Sequence, residues 1–273
     1  NLKEAKLLRK FILCGIAISL AWGSSLYSAY EPFCKQVANY TMNINLDTEN
    51  NLISGTELLS WMNDTDYPTD ELWFHLYWNA FKNNMSSFLH ERARSGRNVS
   101  GFIKENWGYC QISSIKIVKS EMFEESDLTS ILEYRHPDDD NTFDQTVFSV
   151  KLPQSIQPGQ SIQLEIEFQA KVPRPISRTG VYKDYYFIAQ WFPKIGVFQD
   201  GHWNCHQFHS TSEFFADYGT YDVRITLPSP FIIGATGEHI EKNKNPDGTT
   251  THHFFQHSVH DFAWTASLRF LEF

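Results

Sequence analysis

The sequence predicts an all-β fold: a twisted, multi-stranded β-sandwich with one short helix and an N-terminal signal segment. Three observations carry that prediction. Apolar and polar residues alternate at Met42, Ile44 and Leu46, at Ile162, Leu164, Ile166 and Phe168, and at Tyr221, Val223, Ile225 and Leu227. That is the period of strands with one buried face. Gly, Pro, Asn and Asp collect between such runs, at 47–51, 63–68, 153–159 and 243–248. Aromatic residues make up 15% of the 273 positions, and large rings fill the space between two sheets efficiently.

The elements follow in order. Residues 1–10 carry Lys3, Lys6, Arg9 and Lys10 against one acid, Glu4, and 11–22 is an almost unbroken apolar run with small residues after it. A basic head, a short apolar middle and a small-residue exit predict a secretory signal over 1–29, and with it an exported protein. The competing readings of 7–22 are a retained membrane anchor and a buried helix. The run is shorter than the ~20 residues a spanning helix needs. The start without Met and the stop directly after a strand-like segment suggest a fragment of a longer chain.

The β domain is expected over 38–273. Strands are placed from 38, at 53–63 with Gly55 as a candidate bulge, and at 72–79, where the residues are apolar or aromatic nearly throughout. The helix falls at 84–94, capped by Ser86 or Ser87. Strands 109–118 and 132–134 come next. Residues 146–152 and 161–170 read as a hairpin, and 172–180 as a Pro/Arg-rich crossing. Further strands are placed at 186–188, 221–227, 231–235, 250–256 and 262–268. The pattern amounts to about ten strands and one helix.

Charge excludes one class of partner. The net charge is −9 and no Lys/Arg cluster lies beyond the first ten residues, so nucleic acid is not an expected ligand. Four cysteines occur: Cys14, Cys34, Cys110 and Cys205. Removal of the signal leaves three, enough for one disulfide and one free thiol, with the pair unidentified. No Cys-x-x-Cys, His-Glu-x-x-His, Gly-x-Ser-x-Gly, phosphate loop or dinucleotide fingerprint is found. No catalytic residue and no metal ligand is therefore assigned within the chain.

Several polar groups have a plain reading beside a sharp one. Asp138, Asp139 and Asp140 read as a solvated turn rather than a calcium site, because no Gly-spaced ligand loop surrounds them. His206 and His209 would share a metal only on a helix, and their surroundings read as loop with no carboxylate to orient them. His253 and His257 share a strand face but stand ~13 Å apart, so with His252 and His260 they read as edge polarity. His75 reads as a satisfied core histidine. The sharpest candidate lies in 185–201. An apolar strand, Tyr186 to Ile188, offers one amide, Gln190, before Trp191, Phe192 and Pro193 and a polar turn at Gln199-Asp200-Gly201. That is the composition of a cleft wall, and equally of a buried strand.

Six segments share an order with a known family: Tyr40-Thr-Met-Asn-Ile-Asn-Leu-Asp47, Gly55-Thr-Glu-Leu-Leu-Ser-Trp-Met-Asn63, Leu72-Trp-Phe-His-Leu-Tyr-Trp-Asn-Ala-Phe81, Ala189-Gln-Trp-Phe-Pro193, Tyr221-Asp-Val-Arg-Ile-Thr-Leu-Pro228 with Ala235-Thr-Gly237, and His260-Asp-Phe-Ala-Trp264. In this order they resemble the N-terminal β-domain of the aminopeptidase N family of zinc metallopeptidases, in its exported bacterial branch. The resemblance implies a sandwich that packs on a catalytic domain further along the same polypeptide. Zinc, its two His and one Glu ligands and a second Glu as general base belong to that domain, so this chain alone should be inactive. The implied task is to cap the site of an enzyme that removes N-terminal residues from peptides. Ala189-Gln190 matches the family's Thr-Gln strand with Ala for Thr, which implies that Gln190 contacts the substrate's N-terminal residue. Phe192 stands where the family has an acid, so a charged amine anchor from this strand is lost. The alternative is a stand-alone, non-catalytic sandwich that grips a peptide or glycan.

Overall fold

The computed structural model describes residues 32–97, 99 and 102–272. The expected signal over 1–29, with 7–22 and Cys14, lies outside the described residues. Cys34–Phe273 form one compact unit. Its strands, in chain order, are β1 (Ala38–Asp47), β2 (Leu52–Met62), β3 (Thr69–His75), β4 (Tyr109–Ile117), β5 (Ser126–Asp127), β6 (Glu133–Tyr134), β7 (Val147–Ile156), β8 (Ser161–Lys171), β9 (Gly180–Tyr182), β10 (Tyr185–Ile188), β11 (Lys194–Ile195), β12 (Val197–Gln199), β13 (His202–Asn204), β14 (Gly219–Pro228), β15 (Ile232–Ala235), β16 (Glu238–Lys244), β17 (Thr249–Val259) and β18 (Trp264–Ser267). The described α-helix, α1 (Ser87–Arg94), lies between β3 and β4.

The fold is an all-β sandwich. Its large layer is an eight-stranded sheet in the order β16-β17-β14-β1-β2-β8-β4-β5. Two four-stranded sheets, β15-β18-β10-β9 and β11-β3-β7-β6, and the ribbon β12-β13 complete it. Within the large sheet β1 and β14 run parallel. Alternation decides which face is covered: Tyr40, Met42, Ile44 and Leu46 of β1 are buried, while Asn43 and Asn45 between them are exposed. Burying each such aliphatic side chain stabilises by about 1.5–3 kcal/mol. The layers meet through rings. Tyr40 packs on Phe192 at 5.4 Å, Phe168 on Trp191 at 6.0 Å and Trp61 on Trp203 at 5.3 Å.

Several expectations are corrected. Residues 72–79 are not one strand: β3 ends at His75, and Tyr77–Phe81 is a buried 3₁₀ turn. An apolar run covered on both sides has no period with which to tell strand from helix. The segments at 146–152 and 161–170 do not pair with each other. β7 pairs with β3 and β6, and β8 with β2 and β4, so residues 157–160 cross between layers. Pro153 sits where the β3–β7 register shifts, a place that tolerates a missing N–H. Gly55 is no bulge, since β2 keeps its register on both sides. A Cβ there would lie 2.8 Å from both Ile44 and Phe168, so the glycine makes room for the Ile44 side chain and the Phe168 ring. β17 is an interior strand between β16 and β14, not an edge. The strands outnumber the expected ten because several are only two or three residues long. Cys34, Cys110 and Cys205 are free thiols, the last two buried, and burial pushes both of those well above the usual thiol range.

Candidate functional site

Gln190 sits where β10 stops. Trp191 to Phe198 is buried without interruption, while Gln190 is half-buried. The aromatic part of the stretch is therefore core rather than cleft wall. Gln190 has φ 52, in the left-handed region, which costs an L-residue roughly 1–2 kcal/mol. Such a conformation persists only where the surroundings over-determine it.

Those surroundings are four hydrogen bonds on the residues either side. The Trp78 indole Nε1–H donates to the Ala189 carbonyl at 2.9 Å, and the Trp191 indole Nε1–H donates to the Phe262 carbonyl at 3.0 Å. The Thr179 hydroxyl donates to Phe187 O at 3.1 Å and accepts from the Ala189 N–H at 3.4 Å. Trp78 is delivered by the 3₁₀ turn that sequence patterning read as strand. Thr179 closes a two-residue turn whose central residues, Ser177 and Arg178, have φ 41 and 64. Arg178 fastens that turn, 3.0 Å from Glu213 and 5.3 Å above the Phe214 ring. Trp78 carried no sequence signal as a positioning residue because it acts on a segment 111 positions along the chain, and Thr179 carried none because it lies in an irregular crossing with no period.

The Gln190 amide itself makes no hydrogen bond or ion pair with any described residue. Around it the outer face of β10 is apolar and exposed. Tyr185 and Phe187 point outward, Tyr182 lies opposite Tyr185, and Phe270 meets Tyr185 at 5.9 Å.

The other polar candidates resolve differently. His209 lies between two carboxylates, Nδ1 at 2.6 Å from Glu91 and Nε2 at 3.2 Å from Asp138. Partial burial opposes the imidazolium, but Glu91 and Asp138 outweigh it and hold its pKa above the usual histidine value. Oriented carboxylates are thus present where none was expected. His206 turns away and meets His75 edge-on at 5.7 Å. The acidic turn is exposed, as a solvated turn is, but hydrogen bonds tie it down. Asp138 accepts from the Gln207 N–H at 2.6 Å, and Asp139 accepts from Ser87 at 2.7 Å and Gln207 at 2.8 Å. His75 is buried with both ring nitrogens lacking a well-formed hydrogen bond, and burial with nearby His206 holds it neutral. His253 is bonded to Asp222 at 2.8 Å. Lys194, unmarked in sequence, is 1% exposed and pairs with Asp261 at 2.7 Å. Among the described residues no group of three or more His, Cys, Asp or Glu is arranged to hold a metal ion. They do not fit a zinc site.

No protein-family profile matches the chain, and no curated protein matches it. Solved structures do. The M1 zinc metallopeptidase from Deinococcus radiodurans shares 13% identity at a TM-score of 0.47, covering 85% of this chain and 42% of that one. A mutant of that enzyme bound to a Tyr-Ser-Ala substrate gives 13%, 0.46, 84% and 42% in the same order. A mutant two-domain M1 zinc metallopeptidase bound to L-tryptophan gives 11%, 0.46, 85% and 43%. The chain spans less than half the length of each of these structures.

Proposed function

We propose that residues 38–273 form the substrate-capping domain of a zinc-dependent aminopeptidase, and that Gln190 contacts the first residue of the peptide being trimmed. Zinc and the water-activating carboxylate would come from a catalytic domain on the same polypeptide. The observation that carries the reading is the free amide of Gln190 on a strained, rigidly held backbone. Its oxygen can accept from the substrate's α-ammonium, and its NH₂ can donate to the carbonyl of the first residue. Fixing those atoms in advance is what positions a scissile bond. The exposed aromatic face of β10 supports the capping role, in which this domain packs on a catalytic domain. An apolar patch of this kind marks a surface that something covers.

The test is kinetic. In the complete polypeptide with zinc, Gln190→Ala should lower kcat/KM on an aminoacyl chromogenic substrate about tenfold, the equivalent of one lost hydrogen bond of ~1.4 kcal/mol. The melting temperature should not move, because the amide bonds to nothing in the domain. Unchanged kinetics would remove Gln190 from the site, and no turnover at all by the complete polypeptide would remove the aminopeptidase reading.

A further inference from the structure

The outer face of the eight-stranded sheet carries a feature that neither the core nor substrate capping uses. Across the paired positions, one transverse row runs Asn243 (β16), Thr251 (β17), Thr226 (β14), Asn45 (β1), Ser54 (β2), Gln169 (β8) and Gln111 (β4). Seven successive strands present an amide or a hydroxyl, and none an ionised group. The rest of the face is different. The row two residues along carries Glu241, Arg224 and Glu167, and the row beyond carries Glu238, Asp222, Glu165 and Lys116. Solvated sheet faces keep proteins soluble with charge, so an uncharged row in a chain of net charge −9 is a local departure.

On β14 and β17 the row is spent on itself. The Thr226 and Thr251 hydroxyls lie 2.8 Å apart, and Asn245 donates to Thr251 at 3.0 Å. From β1 to β4 nothing is spent. Asn45, Ser54, Gln169 and Gln111, with Asn43 and Thr56 beside them, make no side-chain hydrogen bond to any described residue. These six line a groove of about 720 Å³.

Strands stand ~4.8 Å apart, so the four adjacent unspent positions on β1, β2, β8 and β4 repeat over ~14 Å. A ligand that matches them is linear, uncharged, and offers a donor and an acceptor at each step. Amide side chains provide both at once and can grip two neighbouring hydroxyls. An extended glycan has that chemistry, and its ring-to-ring advance is close to the strand spacing. A polyanion would meet Glu167 and the net negative charge, and Arg224, which also lines the groove, is already paired with Asp222 at 2.9 Å. An extended peptide would seek the open backbone of an edge strand rather than the middle of a face.

We infer that this groove binds a neutral linear oligosaccharide, about four rings of which lie across β1, β2, β8 and β4. The site is separate from Gln190 and does not rest on the aminopeptidase reading. Isothermal titration of the full chain with cellohexaose, xylohexaose and maltohexaose tests it. One or more of the three should bind. The double variant Asn45→Ala/Gln169→Ala should weaken that binding at least tenfold with the melting temperature unchanged, since both side chains are exposed and unbonded. The double variant Thr41→Ala/Glu165→Ala, two rows away, should stay within twofold of the parent, and so should Gln190→Ala. Binding by none of the three, affinity that survives the groove variant, or equal affinity for a hexagalacturonate would each overturn the inference.

Discussion

Gln190 shows how much one residue can hide. The sequence marked it as the single amide on an apolar strand, and the family resemblance gave it a role. Its left-handed backbone was invisible, because Gly and Asn are the usual markers of that region and Gln is not. The strain makes a second prediction beside the loss of activity in Gln190→Ala. Gln190→Gly removes the side chain and the conformational cost together, so its stability should equal or slightly exceed that of the alanine variant, by up to ~1 kcal/mol. Thermal melts of the two variants decide it. Glu57 hides in another way: its neighbours read as an ordinary alternating strand, yet both carboxylate oxygens are buried without a partner. Burial raises its pKa well above the usual carboxylate value, against a smaller opposing pull from Lys194. As pH rises, the unfolded chain gives up this proton first, near ~4.3. Its stabilising effect is complete below that value and declines as pH climbs through the folded pKa. Glu57→Met should therefore flatten the fall in unfolding free energy between pH 5 and 9, and gain roughly 1–4 kcal/mol at the alkaline end in urea titrations.

Elements were legible where a period existed and illegible where pairing was remote. β1, β8 and β14 announce themselves by alternation. β7 is buried through its first four residues and has no such period, and no local signal says that it pairs with β3 in another layer, where Phe74 and Phe148 stack at 4.8 Å. β11, β12 and β13 are too short to show any period. The loop after β13 reads as irregular, and its order comes from partners far along the chain. His209 reaches Glu91 on α1 and Asp138 in the acidic turn, and Glu91 also accepts from the Ser210 N–H at 2.7 Å. Because the folded His209 pKa is raised, this clasp is fully present below the unfolded value near ~6.5 and is lost as pH rises through the folded one. His209→Gln should cost about 0.5–1 kcal/mol at pH 6, modest because the pair is partly solvated. The gap should close by pH 9, as denaturant unfolding at the two pH values would show.

At the scale of the molecule, large apolar side chains are exposed in several places, and three of them share one small sheet. Tyr182, Tyr185 and Phe187 stand exposed on one small sheet, with Leu268 and Leu271 exposed in the segment just after β18. If this face docks the proposed catalytic domain, Tyr185→Ser/Phe187→Ser should make residues 34–273 more soluble and lower the melting temperature of the complete polypeptide. A complete polypeptide whose melt is unaffected would place the docking face elsewhere. The architecture was readable from composition and alternation. The layer to which each strand belongs was not, since that depends on contacts no single segment encodes.

The three described cysteines make the molecule its own reporter. Cys34 is partly open, whereas Cys110 on β4 of the large sheet and Cys205 beside Gly196 are both buried and sealed from reagent. With Cys14 and Cys34 replaced by serine, a maleimide meets a thiol only when the protein opens. The two remaining sites would then time separately how often the sheet parts and how often the irregular loop lifts, with no dye or tag added.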